Sequence, residues 1–149
     1  MFEEALYRDV YSYSLTGEAV KEATVGWIMI APIREFLQSR GFEVESPGFL
    51  KGKSGASHMF DITASPKGVK RNITVIDLAT STDDVVSEQP VIAMFAKIYD
   101  VSPDRACLVA IPKMSENGKK LAALYKIELV EAKDQKEVIK ALENVCVKK

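Results

Sequence analysis

Residues 107–111, with the sequence CLVAI, form an uninterrupted apolar run in the second half of the chain. Such a run predicts a strand that is covered on both faces, because a strand with one solvated face alternates apolar and polar residues. A strand of this kind requires a layer of structure on each side of its sheet. This segment therefore indicates a layered α/β domain.

The remaining segments extend this prediction. Helical spacing of apolar residues begins near residue 17, continues through Pro32, where a kink or a new helix is expected, and ends at Gly41. Strands are predicted over residues 42–45, 60–64, 72–79, 107–111 and 128–132, and helices over 85–99, 115–125 and 135–145. Turn residues 65–68 predict an antiparallel hairpin. We expect an α/β sandwich with a mixed sheet, as one domain over residues 1–149, with an arm or short helix at 1–17 and a core at 18–145.

Charge and cysteine content limit the class of protein. The 149 residues carry 20 Lys and Arg against 21 Asp and Glu, a formal net charge of -1, so only a local patch can attract nucleic acid. The most apolar run, residues 25–33, is about half the ~20 residues that cross a bilayer. The two cysteines form no CxxC motif, and the chain starts with acidic residues rather than a basic signal sequence. We expect a cytoplasmic protein without a membrane partner.

Two aspartates interrupt the predicted hairpin strands. Asp61 follows a glycine-rich stretch, and Asp77 lies between Ile76 and Leu78. Carboxylates that converge from adjacent strands repel each other unless a cation joins them, and Mg²⁺ is the ion that such oxygen ligands suit. The alternative is that each aspartate is exposed at a strand end or caps a turn.

The residues around these aspartates resemble a known nuclease superfamily. The matching segments are Lys53-Ser54-Gly55-x-x-His58-x-Phe60-Asp61-Ile62 and Val75-Ile76-Asp77-Leu78-Ala79. They look like the PD-(D/E)xK superfamily, within which the chain is most similar to archaeal RecB-like predicted endonucleases and Holliday-junction resolvases. The resemblance spans roughly residues 20–132 and implies a restriction-endonuclease-like α/β/α sandwich.

The resemblance also implies roles for individual residues. Asp61 and Asp77 match the two metal-binding acids, and Glu35 or Glu22 is the candidate for the acid of the first helix. Gln89 stands where some relatives keep a polar residue near the site. The lysine expected two residues after Asp77 is replaced by Ala79, which supplies neither charge nor a donor.

The alanine leaves two interpretations open. One is a protein that keeps the fold and binds nucleic acid but has lost cleavage, and Ala79 favours it. The other is an active Mg²⁺-dependent endonuclease in which a lysine from elsewhere, such as Lys53, Lys97 or Lys113, reaches the site. A third possibility, from a different class, is a non-enzymatic homodimeric interaction module. The apolar helix around Trp27 favours a homodimer.

A basic segment flanks Asp61. Residues 51–71 hold five basic residues against one acid, a net charge of +4, and can contact a phosphate backbone. The alternative is a solvated hairpin. His58 is the single histidine, and either it contacts phosphate or it bonds backbone atoms of its own loop. The candidate nucleic-acid contacts are Lys51, Lys53, Ser54, His58, Lys70, Arg71 and Lys113.

Overall fold

The computed structural model describes residues 29–68 and 71–145. Helix α1 covers residues 29–39 of this part of the chain. The strands and later helices follow in the order β1 (Phe42–Glu45), β2 (Gly48–Lys51), β3 (Ser57–Phe60), β4 (Ile62–Pro66), β5 (Thr74–Thr80), α2 (Gln89–Val101), β6 (Arg105–Ile111), α3 (Glu116–Leu124), β7 (Glu128–Glu131) and α4 (Gln135–Val145).

Five of the strands form one mixed sheet in the order β1-β4-β5-β6-β7. Strands β1, β4 and β5 are antiparallel neighbours, whereas β5, β6 and β7 run parallel. The parallel pairs need crossover connections, and helices α2 and α3 supply them. The predicted α/β sandwich with a mixed sheet is therefore confirmed, and so is the antiparallel hairpin.

One face of the sheet is covered by α1 and α4. Ile33 and Leu37 of α1 and Leu142 of α4 are fully buried against strand residues such as Ile76 and Val109. These side chains recur every three or four residues along each helix, which places them on a single apolar stripe. The burial of this stripe holds both helices on the sheet.

The opposite face of the sheet is covered by α2 and α3. Val91 and Met94 of α2 pack with Ala122 of α3 against Val75 and Leu108 of the strands. The continuously apolar strand predicted at 107–111 is buried over residues 107–110 and half-buried at Ile111, because helices lie on both of its faces. Its prediction is confirmed, with β6 starting two residues earlier at Arg105.

The strand predicted over residues 60–64 is divided at Asp61. Phe60 is buried in the cluster beneath α2, whereas Ile62 is buried in the cluster beneath α1, on the other face of the sheet. Residues two apart in a regular strand point to the same face, so the chain must break its extended path at Asp61. Residues 57–60 instead pair with β2 in a separate two-stranded antiparallel hairpin.

Three further elements differ from their predictions. Strand β2 occupies residues for which no strand was predicted. In this strand Gly48 and Leu50 face inward, whereas Phe49 and Lys51 face outward. Helix α2 begins at Gln89 rather than at Val85, with Pro90 in its first turn, where a missing N–H costs nothing. Pro32 lies within continuous helix in the described residues 29–39.

Some predictions fall on residues 1–28, 69–70 and 146–149, outside the described part of the chain. They concern the arm at 1–17, Glu22, Trp27 and Lys70. Within residues 29–68 and 71–145, no helix is both long enough and apolar enough to cross a membrane.

Candidate active site

Asp61 and Asp77 converge where the two hairpins of the fold meet. Asp61 lies between β3 and β4, and Asp77 lies on β5, which pairs with β4 so that Ile62 is opposite Ile76. Two hydrogen bonds link Asp61 to β5. The Asp61 N–H donates to Asp77 Oδ1 at 2.9 Å, and the Leu78 N–H donates to Asp61 Oδ2 at 2.7 Å. The break in the strand at Asp61 thus places its backbone N–H on the neighbouring carboxylate.

The surroundings of Asp61 oppose its ionisation. Burial of the side chain and the negative charge of Asp77 raise the pKa of Asp61 from 3.8 to about 6, although the Leu78 N–H and the charge of Lys97 act in the opposite direction. A carboxyl group whose pKa is raised by burial and by a like charge is typical of functional sites, although structural networks produce such shifts as well. The raised pKa of Asp61 therefore reflects its burial first and the neighbouring charge of Asp77 second.

Lys97 of α2 places an ammonium group beside the aspartates. Its Nζ lies 2.6 Å from Asp77 Oδ2 and donates a second hydrogen bond of 2.7 Å to the Met59 carbonyl. The same nitrogen lies 4.5 Å from the centre of the Phe60 ring. The side chain of Lys97 is only 24% exposed, so these contacts fix its position. A carboxylate, a carbonyl and an aromatic face therefore hold the ammonium in place.

Ala79 occupies a buried apolar position beneath α2. Ala79 is 7% exposed and belongs to the cluster beneath α2, on the same face of β5 as Val75 and two residues beyond Asp77. Helix α2 packs directly on this face, so the space at residue 79 is filled by apolar contacts. Of the three lysines considered from the sequence, the structure brings Lys97 to the aspartates. Lys53 and Lys113 are exposed on loops, with no contact to them in the described residues.

The structure does not bring Glu35 to the aspartate pair. Glu35 is exposed on α1, the helix that covers the face of the sheet opposite to α2. Within the described residues, no group of three or more His, Cys, Asp or Glu side chains is placed to hold a metal ion. Gln89 is likewise exposed, at the start of α2. In this region the acidic side chains that lie together are therefore those of Asp61 and Asp77.

Ser54 and His58, predicted as phosphate contacts, are both bound to Asp100. The Ser54 hydroxyl donates to Asp100 Oδ2 at 2.5 Å, the Ser54 N–H donates to Asp100 Oδ1 at 2.8 Å, and His58 Nε2 lies 2.8 Å from Asp100 Oδ2. These contacts lower the pKa of Asp100 to about 2. The carboxylate lies between the serine and the histidine, so this cluster is not a Ser-His-Asp triad, in which the histidine contacts the serine.

Asp100 was not singled out in the sequence. The residue lies 42 positions from His58 and 46 from Ser54, and no local pattern links them.

The other predicted nucleic-acid contacts are accessible from solvent. They are Lys51, Lys53, Arg71 and Lys113, which are all exposed, whereas Lys70 lies outside the described residues. No ion pair of these four lysines and arginines with an acid is found within the described part of the chain.

Comparisons with known proteins give a fold and no activity. No protein-family model matches the chain, and no curated protein matches it. Among solved structures, the chain is similar to a protein of unknown function, AF1548, with a TM-score of 0.61 and 18% sequence identity. The similarity covers 80% of this chain and 67% of that one. At this level of identity the match shows that the two proteins share a fold.

Proposed function

We propose that this protein hydrolyses phosphodiester bonds of nucleic acid with the help of a divalent cation, Mg²⁺ in the first instance. The observation that carries the proposal is the position of the Lys97 ammonium, which lies 2.6 Å from Asp77 Oδ2. Asp77 in turn accepts a hydrogen bond from the Asp61 N–H. Ala79 by itself favours a protein that has lost cleavage. Lys97 favours the alternative, in which a lysine from helix α2 takes the place of the one absent from β5.

The two aspartates have the chemistry that Mg²⁺ requires. This ion commonly binds one or two carboxylates and completes its shell with water and substrate phosphate oxygens. Asp61 and Asp77 supply two carboxylates. Burial, and after it the negative charge of Asp77, raises the pKa of Asp61, and a positive ion would offset the repulsion between the two carboxylates. When bound, Mg²⁺ polarises a phosphate and lowers the pKa of a coordinated water.

Lys97 contributes a fixed positive charge and an available donor. An ammonium group has three N–H bonds, and Asp77 and Met59 accept two of them. The third can donate to a phosphate oxygen on which negative charge accumulates during hydrolysis. Because the lysine is already held by its two acceptors, it need not reorganise when the substrate reacts, and this preorganisation is the basis of electrostatic catalysis.

Protonation of Asp61 sets the pH range of the proposed activity. Its pKa of about 6 means that the carboxyl group is mostly ionised at pH 8 and mostly protonated at pH 5. A cation binds the ionised form and competes with the proton. We therefore expect the proposed activity to be low at pH 5 and to increase as the pH rises above 6.

Nucleic acid is the substrate class that the surrounding charges favour. The basic segment 51–71 begins on the β2–β3 hairpin and contains Asp61 itself. Lys51, Lys53 and Arg71 are exposed there and can contact phosphates of a nucleic acid. The segment therefore favours a polyanionic ligand.

Cleavage of labelled single-stranded, duplex and branched DNA, and of single-stranded RNA, tests the proposal. The reactions contain Mg²⁺ or Mn²⁺ at pH 8, with EDTA in parallel, and compare the wild-type protein with Asp61→Asn and with Asp83→Asn. Asp83 is an exposed acid in the loop that follows β5 and serves as the matched control. We expect metal-dependent cleavage by the wild type and by Asp83→Asn, and a loss of at least about 100-fold in Asp61→Asn.

Two other outcomes would replace this proposal. Salt-sensitive binding without cleavage by the purified wild type would support a nucleic-acid-binding protein that has lost catalysis. Neither binding nor cleavage would support the interaction module. The predicted homodimer rests on Trp27 and its neighbours, outside the described residues, and sedimentation equilibrium of the full chain tests it. The cytoplasmic location also stays a prediction, for which fractionation of the source cells is the test.

A further inference from the structure

A cleft opens beside the last turn of α2, away from the aspartate pair. Its volume is about 440 Å³, and Lys53, Phe95, Tyr99, Asp100 and Tyr125 are among the residues that line it. We refer to it as the Tyr99 cleft. A volume of this size accommodates one nucleotide or a similar small ligand. None of these five residues takes part in the arrangement of Asp61, Asp77 and Lys97.

The aromatic side of the cleft is a row of three rings. The rings of Tyr125 and Phe95 are stacked, with centroids 3.9 Å apart and an angle of 18° between their planes. The Tyr99 ring follows at 5.9 Å from Phe95, tilted by 47°. Tyr99 is the last residue of this row, and it is 75% exposed to solvent. A planar group that stacked on Tyr99 would extend the row and cover an aromatic side chain that now contacts water.

The polar side of the cleft is built from the turn at residues 52–55 and from Asp100. Lys53 is exposed on this turn, and its backbone N–H donates to the Asp100 carbonyl at 2.9 Å. Ser54 donates two hydrogen bonds to the Asp100 carboxylate, at 2.8 Å from its N–H and 2.5 Å from its hydroxyl. The Lys53 turn is thus fastened to the residue that directly follows Tyr99.

The close approach of this turn to Asp100 depends on the glycine at residue 52. A Cβ atom at residue 52 would lie 2.1 Å from Asp100 Oδ2, so only glycine lets the turn approach the carboxylate this closely. His58 adds a contact to the same oxygen at 2.8 Å. The segment from Gly52 to His58 therefore holds an ammonium-bearing turn at a fixed place beside an exposed aromatic ring.

The geometry points to the Tyr99 cleft as a binding site for one unpaired nucleotide of a nucleic-acid strand, with its base stacked on Tyr99 and its phosphate at the Lys53 ammonium. This assignment rests on the proposed function and specifies its substrate. An aromatic face binds any base, and a lysine binds phosphate as a point charge, so the site selects exposed bases rather than a sequence. Bases in an intact duplex are stacked on each other and cannot present a face to Tyr99.

The chemistry of this site fits a nucleotide of a strand and also a free mononucleotide, and the experiment separates these sources. Fluorescence anisotropy with a labelled single-stranded oligonucleotide in EDTA measures binding without cleavage. The full-length proteins are the wild type, Tyr99→Ala, Tyr99→Phe and Lys53→Ala. Leu124→Ala and Lys140→Ala are the matched controls, since both residues are exposed and neither lines the cleft. Competition by AMP and by the corresponding duplex completes the set.

We expect Tyr99→Ala to weaken binding of the single strand by about 10-fold, since stacking contributes on this scale. Tyr99→Phe should bind within about twofold of the wild type because phenylalanine keeps the ring. Lys53→Ala should reduce the slope of log K against log salt by about 0.7, the value for one phosphate contact in a single strand. The duplex and the two control substitutions should leave the affinity for the single strand unchanged.

An oligonucleotide with one 2-aminopurine adds a readout of position. Stacking on Tyr99 should change its fluorescence in the wild type and in Tyr99→Phe, and this change should be absent in Tyr99→Ala. Wild-type affinity in Tyr99→Ala would overturn the inference, and so would failure of the wild type to bind any oligonucleotide. Tyr99-dependent binding of AMP without binding of the strand would overturn the strand as occupant.

Parallel cleavage assays in Mg²⁺ distinguish this inference from the proposed function. Cleavage with no effect of Tyr99→Ala on binding would leave the hydrolytic function standing and remove the nucleotide site. Tyr99-dependent binding by a wild-type protein that cleaves nothing would leave the nucleotide site standing and remove hydrolysis.

Discussion

The Lys97 ammonium lies 2.6 Å from Asp77 Oδ2, although the two residues are 20 positions apart and belong to a helix and a strand. The position two residues after Asp77 is filled by the buried Ala79, which packs beneath the same helix. The positive charge at the aspartate pair is therefore supplied by the layer above the sheet. This relationship supports the proposal that a lysine from helix α2 stands in for the one absent at residue 79.

Replacement of Lys97 should separate cation binding from cleavage. Lys97→Met keeps an unbranched apolar chain and removes the ammonium, so we expect the cleavage rate to fall by at least about 100-fold. Asp61 and Asp77 remain, and Mg²⁺ should still raise the melting temperature of this variant. Single-turnover cleavage and thermal unfolding measure the two effects. Lys140→Met on α4 is the control, and a rate for Lys97→Met within about threefold of the wild type would contradict the role of Lys97.

Removal of the Asp61 charge should stabilise the protein in a pH-dependent way. The pKa of Asp61 is raised in the folded state from 3.8 to about 6, so the folded protein holds the proton more tightly than the unfolded chain does. The contribution of Asp61 to the free energy of unfolding is then highest below pH 4, and it is lost as the pH rises from 4 to 6. Two pKa units correspond to roughly 3 kcal/mol, which is an upper limit for this partly buried group.

We therefore expect Asp61→Asn to raise the free energy of unfolding by about 1–3 kcal/mol at pH 8 and to have little effect at pH 4. Urea unfolding at both pH values measures this difference, with Asp83→Asn as the exposed control. A variant that is less stable than the wild type at pH 8 would show that Asp61 is held by favourable interactions and is not under strain.

A divalent cation should stabilise the wild-type protein through the aspartate pair. A ligand present at 100 times its Kd stabilises the folded state by about 2.7 kcal/mol. We expect Mg²⁺ to raise the melting temperature at pH 8 and to do so less at pH 5, where protons compete for Asp61. EDTA should reverse the effect. The same rise in Asp61→Asn and Asp77→Asn would place the bound cation elsewhere.

Gly52→Ala should loosen the β2–β3 hairpin. The added Cβ would meet Asp100 Oδ2 at 2.1 Å, so the turn or the end of α2 must move and the Ser54 hydrogen bonds must lengthen. We expect a loss of about 1–3 kcal/mol in the free energy of unfolding, as is typical of overpacking. Urea unfolding measures it, with the exposed Ser57→Ala of the same hairpin as the control. Equal stability of the two variants would show that the contact yields at no cost.

Several elements followed from the sequence because their signals are local. The apolar run at 107–111 predicted a strand with two covered faces, and β6 is buried as expected. Ser115 predicted the start of α3, and its hydroxyl accepts a hydrogen bond from the Gly118 N–H at 3.0 Å. Glycine and proline marked the breaks at 41 and 47. Each of these signals acts within a few residues of the chain.

The division of the chain at Asp61 could not be predicted in this way. Phe60, Asp61 and Ile62 form a continuous apolar-polar-apolar pattern that is typical of one strand. Which face of the sheet each apolar residue enters depends on the layers that cover it, and these layers come from distant parts of the chain. Strand β2 was not predicted for a related reason. It is defined by its pairing with β3, and no local pattern in its four residues indicates that pairing.

The sequence by itself determined the α/β class, the mixed sheet and the two aspartates that interrupt its apolar strands. Periodicity and polarity are local properties of consecutive residues, so they can be recognised without the tertiary structure. The tertiary structure decided which charged groups meet. It brought Lys97 to Asp77, left Glu35 on the opposite side of the sheet, and bound Ser54 and His58 to Asp100. Such contacts depend on how helices lie on a sheet, and residues that share a site through this packing have no common pattern in the sequence.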